Sequence, residues 1–317
     1  MDNLTHGLTG ALMGQAGLKK TTGLGLAALI LGANLPDIDV VGLLWLDSSE
    51  ALGFRRGITH GPIGVALLPL GLAALLWSLD RWQGRRGKRP EGRDPVSFKW
   101  LYVLGLIGAI SHSLMDWLNV YGVRFLYPFD TRWYYGDTLF IIDVWLWAIL
   151  ALSVWWSARG EKSGEGKRRA WVGIAASLGF VALNGAITAL DYETGGTLQE
   201  PYPERFISAP VPLAFWHREG IAQLYNEEWI SSDWDGDDFG YGYRRSKAQQ
   251  CALPDLSKQR ETNSRLDGFL TWSRAPFAER AEDGSIILRD ARFYSPLTRD
   301  RFSLALPSIQ CEELPAQ

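Results

Sequence analysis

Hydrophobic positions gather into long runs over residues 1–190 and break into short, interrupted runs from 191 onward. Five apolar stretches, 22–46, 62–79, 101–118, 139–158 and 170–190, reach or approach the roughly 20 residues that a bilayer-crossing helix requires. A sixth, "LTHGLTGALMGQAGL" at 4–18, is short and Gly-rich, which predicts a buried or half-inserted helix. It lacks a basic n-region and is too polar for a signal peptide, so it is expected to remain in the mature protein. Beyond 190, "GFLTWSRAPFAER", "GSIILRDARFYSP" and "RFSLALPS" are short, carry β-favouring residues and are punctuated by Gly, Pro, Asp and Ser. The expected architecture is an α-helical polytopic membrane domain of five to six helices over 1–190, followed by a smaller β-rich soluble domain over 191–317. The Pro-rich "LQEPYPERFISAPVPLAF" between them predicts an extended linker or a first strand.

Averaged over the chain, 47% hydrophobic and 21% charged residues with a net charge of −3 resemble a soluble protein; the average conceals the two parts. Loop charge then gives a direction. Segment 80–99 carries seven Lys or Arg and 159–169 carries five, whereas 119–138 carries only Arg124 and Arg132. By the positive-inside rule the first two loops are cytoplasmic and the third faces out. Following the helices from there puts the C-terminal part outside the cytoplasm of a multi-pass inner-membrane protein. Both cysteines, Cys251 and Cys311, fall in that exported part, where they form either a disulfide or two buried thiols. Topology accounts for the basic loops, so no nucleic-acid partner is expected.

Ionisable residues at membrane depth are costly and mark function. Here they are His6, Asp37, Asp39, His60, His112 and Asp116, and each of the three histidines has Thr or Ser beside it. The predicted topology brings all six to the outer face. His112 and Asp116 lie four residues apart, one turn along a helix face. Asp37 and Asp39 flank Ile38 just after Pro36, where an extended or turn-like backbone points both carboxylates one way. Histidine nitrogen with carboxylate oxygen suits a divalent metal: zinc first, manganese or iron(II) as alternatives. Six candidate ligands allow one ion or two. Asp39, Asp116 and His60 are the candidate catalytic groups, with Asp39 or Asp116 as bridging ligand or general base.

The segments "THGLTG", "LPDID", "RRGITHG" and "ISHSLMDWLNVYGVRFLYPF", in this order and with hydrophobic helices between them, resemble the YdjM-type family of membrane-bound metal-dependent hydrolases. The resemblance covers about residues 1–150. It implies a helical membrane enzyme that uses a divalent metal, with the six residues above at the polar positions of the pattern. Two positions depart from it: Arg55 stands where the family commonly has His, which removes a possible ligand or proton carrier, and Gly61 where it often has Ser.

The outer loop 119–138 is rich in aromatics. Arg124 and Arg132 in that loop, with Arg55 and Arg56, are candidate substrate-binding residues, because arginine forks bind phosphate in pairs of hydrogen bonds. The expected substrate is a lipid or lipid-linked ester or phosphoester. The same arginines and aromatics could instead meet headgroups as an interfacial belt. A transporter of ions or small solutes, or a non-catalytic scaffold with a degenerate metal site, are the rival readings. Asp143 is a candidate partner for a histidine, His217 is read as structural, and the acidic stretch 231–245 as a solvated turn.

Overall fold

A computed structural model describes residues 1–195, 203–232, 244–245, 249–296 and 298–315. The acidic segment 233–243 lies outside the described residues. The chain divides into two compact units. Unit 1 comprises Met1–Asp39, Arg56–Gly185 and Pro212–Phe215; unit 2 comprises Val40–Arg55, Ala186–Val211 and Trp216–Gln317.

Unit 1 is helical. Helix α1 (Asn3–Gln15) starts on Asp2, whose carboxylate accepts from the Leu4 and Thr5 amides. Helix α2 (Gly25–Gly32) is followed by a 3-10 segment, Leu35–Leu44, after a 50° bend. Pro36 has no amide to continue the α-helical ladder, the helix breaks at Ala33 and Asn34, and residues 22–46 form a bent pair rather than one straight helix. Such a pair is either a broken span or a re-entrant loop.

The segment then leaves unit 1, forms α3 (Ser48–Phe54) within unit 2, and returns at Arg56. Helices α4 (Pro62–Arg85), α5 (Phe98–Trp117), α6 (Val144–Arg159) and α7 (Gly166–Gly195) follow. By length and composition α4, α5 and α7 can cross a membrane, and the bent pair adds a fourth span if it is counted as one. Helix α6 is apolar but has 16 residues, short of the roughly 20 that a bilayer needs.

Two apolar clusters hold unit 1 together. Leu12, Leu139, Leu146 and Leu150 pack with Ala170, joining α1, α6 and α7. Leu29, Leu72, Leu76, Leu101 and Leu104 join α2, α4 and α5. Helices α2 and α5 cross on glycine: a Cβ at Gly32 would lie 2.6 Å from the Gly105 carbonyl oxygen, and one at Gly108 would lie 2.6 Å from the Ala33 amide nitrogen. That close crossing brings the backbone of Ala33 within reach of α5. Outward-facing Leu67, Leu75, Leu178 and Leu190 are exposed, as lipid-facing positions are.

Unit 2 contains two antiparallel sheets. Strands β1 (Arg205–Pro210), β2 (Arg218–Gln223), β3 (Trp229–Ser231) and β4 (Arg244–Arg245) pair in chain order. Strands β5 (Gln250–Cys251), β6 (Pro276–Arg280), β7 (Ser285–Asp290) and β8 (Ser303–Gln310) do likewise. Helices α8 (Ser257–Thr262) and α9 (Ser264–Trp272) lie in sequence between β5 and β6. Cys251 and Cys311 form a disulfide. Asp290 is fully buried and accepts from the Arg292 guanidinium, the Ser273 hydroxyl and the Arg274 and Ala275 amides, which knots the end of β7 to the end of α9.

A buried histidine and aspartate cluster

Four elements of unit 1 deliver the site. Helix α1 contributes His6 and is held there by Trp147 of α6, whose indole N–H lies 2.8 Å from the Thr5 hydroxyl and 3.0 Å from the Asp2 carboxylate. The 3-10 segment contributes Asp37 and Asp39, the turn before α4 contributes Arg56 and His60, and α5 contributes His112 and Asp116. Every one of these side chains is buried.

Asp37, His60, His112 and Asp116 each offer a ligand atom, and the four atoms lie within 4.8 Å of one another. His60 Nε2 and His112 Nε2 are 3.1 Å apart. Asp116 Oδ2 lies 3.2 Å from the first and 3.4 Å from the second, and Asp37 Oδ1 is 3.9 Å from His112 Nε2.

The tautomers follow from what holds the opposite nitrogens. His112 Nδ1 is 2.7 Å from the Ala33 carbonyl oxygen, which only accepts, so Nδ1 carries the proton in the neutral ring. On the other ring Nδ1 faces the Thr59 hydroxyl at 2.9 Å and Asp39 Oδ2 at 3.6 Å. Thr59 donates to Asp39 Oδ2 at 3.2 Å, which leaves its oxygen to accept from His60 Nδ1. Both Nε2 lone pairs therefore point at one spot beside a carboxylate oxygen, an arrangement that could hold a cation.

The spacing suits one. For metal–ligand bonds of about 2.0–2.1 Å, neighbouring tetrahedral ligands lie about 3.4 Å apart. Three buried carboxylates, Asp37, Asp39 and Asp116, gather here, with the Arg56 guanidinium and the Met1 amine against Asp116 and buried Arg124 among the cations nearby. The donor set, nitrogen and oxygen without thiolate, fits a divalent ion.

His6 stacks on His112 with ring centroids 3.7 Å apart, and its Nε2 lies 3.4 Å from Asp116 Oδ1. Among the described residues neither of its ring nitrogens has a hydrogen-bond partner. His6 thus flanks the second oxygen of Asp116, outside the group of four; the Met1 amine lies against that same oxygen. Asp39 also stands outside that group, behind His60, where it accepts from the Arg56 amide at 2.7 Å and from Thr59.

The arginines separate. Arg56, expected among substrate-binding residues, is buried with its Nε 3.1 Å from Asp116 Oδ2, its Nη1 on Asn119 and Gly122, and its plane over Tyr121. Arg124 is buried between the rings of Tyr127 and Trp133, and its amide donates to the Arg56 carbonyl. Arg132 is exposed and paired with Asp130 at 2.6 Å. Arg55 belongs to unit 2. Asp143 caps α6, accepting from the Leu146 amide at 2.8 Å. The His217 carbonyl accepts from Arg218 in unit 2. Gly61 has a steric reason, since a Cβ there would run into the Tyr127 carbonyl oxygen.

Sequence reasoning missed Thr59, the Ala33 carbonyl and Asn119 as the groups that orient the cluster. A hydroxyl beside each histidine was the visible sign of the first.

A helical membrane protein with a histidine and aspartate cluster buried among its apolar helices is the class that fold and site define. The family model of the YdjM inner membrane protein matches residues 1–189, and the chain belongs to that family. The match reaches about 40 residues beyond the motifs seen in the sequence and stops just before the sheets of unit 2. Neither the curated proteins nor the solved structures contain a match.

Proposed function

We propose that this chain is a membrane-bound metal-dependent hydrolase whose buried cluster holds one divalent ion, zinc before manganese or iron(II). The observation that carries the reading is the meeting of the His60 and His112 Nε2 atoms at 3.1 Å, each ring fixed by a partner on its far nitrogen. His60, His112, Asp116 and Asp37 would hold the ion, while Asp39 orients His60 through Thr59. When bound, such an ion supplies Lewis acidity and an acidified water. One ion is favoured over two because the converging ligand atoms form one group of four. His6, beside Asp116 Oδ1 and without a hydrogen-bond partner among the described residues, would take a proton or complete the coordination.

The substrate we favour is a lipid or lipid-linked phosphoester. Apolar helices surround the cluster, and Arg124 with Tyr127, Trp133 and the exposed Phe129 offers cation and aromatic surface in the loop after α5. Exposed Arg132 in the same loop suits a headgroup. The Cys251–Cys311 disulfide favours an inner-membrane protein with unit 2 outside the cytoplasm, and the basic loops at 80–99 and 159–169 agree provided that α6, with the apolar residues before it, also crosses the membrane.

Elemental analysis of detergent-purified protein beside a His60→Ala, His112→Ala variant tests the reading. About one equivalent of a transition metal in the wild type and loss in a folded variant is the expected result. No metal in either after loading would end the metal reading, and phosphoester hydrolysis would be sought only in the first case.

A further inference from the structure

Residues 40–55 leave unit 1 directly after Asp39 and re-enter it at Arg56. Those two residues close on each other, since the Arg56 amide donates to Asp39 Oδ2 at 2.7 Å. The same carboxylate oxygen accepts from Thr59 and faces His60. The excursion therefore begins and ends on the latch that orients His60. Arg56 takes a left-handed backbone, φ +53°, which a side-chain-bearing residue adopts only when its surroundings hold it there.

What holds the excursion is α9. Helix α3 crosses it glycine on glycine: a Cβ at Gly53 would lie 2.7 Å from Gly268 Cα, and one at Gly268 would lie 2.5 Å from the Ser49 carbonyl oxygen. Asp47 caps α3 and Glu50 reaches back to the Asp47 amide at 2.8 Å, a reciprocal capping box. Ser264, the first residue of α9, donates to the other oxygen of Glu50, and Arg265 pairs with Asp47 at 3.3 Å. Helix α9 in turn is pinned by Asp290, which accepts from Ser273 at its end. Residues 264–290 lie wholly outside the 1–189 family match.

We propose that α9 is a positioning element for the metal cluster, with Gly268 and Glu50 as positioning residues: the C-terminal unit grips α3, and through its two ends sets the Asp39–Arg56 latch and the orientation of His60. The functional consequence rests on the metal reading above; the mechanical coupling does not. Loosening the grip frees the latch, so the His60 ring loses its fixed tautomer and the site its pre-set geometry. The C-terminal unit is then a device by which an event on that unit changes metal occupancy of the membrane unit.

The test uses the full chain in detergent, metal-free, as wild type, Gly268→Ala, Glu50→Ala and Glu50→Gln. Hydrogen exchange is followed in peptides covering 48–54 and 55–61, and cobalt binding is followed by its visible absorption against a competing chelator. Gly268→Ala and Glu50→Ala should speed exchange at both peptides and weaken cobalt binding about tenfold, as loss of an outer support does. Glu50→Gln keeps its amide oxygen for the Asp47 N–H and turns its NH2 to the Ser264 hydroxyl, which can accept, and should restore both readouts.

Faster exchange at 48–54 with none at 55–61 overturns the coupling, and so does unchanged cobalt affinity in a variant whose latch has loosened. If Gly268→Ala fails to fold, the two Glu50 variants decide. A wild type that binds no cobalt strikes the metal reading instead, and exchange at 55–61 then settles the coupling alone.

Discussion

His60 and His112 present their Nε2 atoms to each other across 3.1 Å, while their Nδ1 atoms are committed to Thr59 and to the Ala33 carbonyl. Two lone pairs that meet this way repel unless a cation lies between them. The supports on the far side are therefore as much a part of the site as the ligands.

Thr59→Val removes the hydroxyl that relays Asp39 to His60 while keeping the side-chain volume. His60 can then take either tautomer, and metal affinity should fall about 10- to 100-fold with the fold intact. Competition with a chromogenic chelator measures it. An affinity equal to wild type would show that Thr59 does not set the ring.

Arg56→Met tests the charge balance. Its guanidinium is a buried cation on Asp116, beside the Met1 amine, and removing one partner of a buried pair costs about 3–5 kcal/mol when nothing replaces it. A divalent ion does replace it. Added zinc should therefore raise the unfolding temperature of Arg56→Met more than that of the wild type in the same detergent. An equal or smaller zinc effect would mean that Arg56 and the ion do not answer the same negative charge.

The chemistry of the cluster was legible because its residues are costly where they stand. A histidine or aspartate in an apolar run is conspicuous, and His6, His60, His112 and Asp116 all arrive in one buried place. The bend after α2 was less so, although Pro36 marks it. What the sequence could not show is contact between distant small residues. Nothing local in Gly53 and Gly268 says that residues 40–55, between two polar positions of a membrane segment, fold with a helix more than 200 residues later. Arg56 was hidden for a related reason: a charged residue in a loop looks solvent-facing until a buried carboxylate is placed beside it.

Asp290 carries an acid dependence for unit 2. Burial alone would raise its carboxyl, but the Arg292 guanidinium, with hydrogen bonds from Arg292 and Ser273, holds it below the usual carboxylate range. A folded-state value below the unfolded one adds stability that is present above the unfolded value of about 3.9 and is lost as pH falls through the folded value. Asp290→Asn should thus cost about 3–5 kcal/mol near neutral pH, and the penalty should shrink below about pH 4. Denaturant unfolding followed by tryptophan fluorescence, repeated across pH, checks it. A penalty that does not vary with pH would show that the loss is one of packing.

The disulfide offers a prediction about placement as well as stability. Cys251 and Cys311 are 60 residues apart in sequence and join β5 to the chain just after β8. Closing a loop of that size restricts the unfolded chain by an amount worth about 4 kcal/mol in the chain-entropy account. Cys251→Ser should lower the stability of unit 2 by about 2–4 kcal/mol, and dithiothreitol should do the same to the wild type but nothing further to the variant. Oxidation in the living cell is the sharper measurement. If unit 2 lies outside the cytoplasm, as proposed, whole-cell lysates quenched in acid and alkylated should show no free thiol on this chain, because the cytoplasm keeps such pairs reduced. Two alkylatable cysteines in freshly quenched cells would place unit 2 on the cytoplasmic side and overturn the proposed orientation.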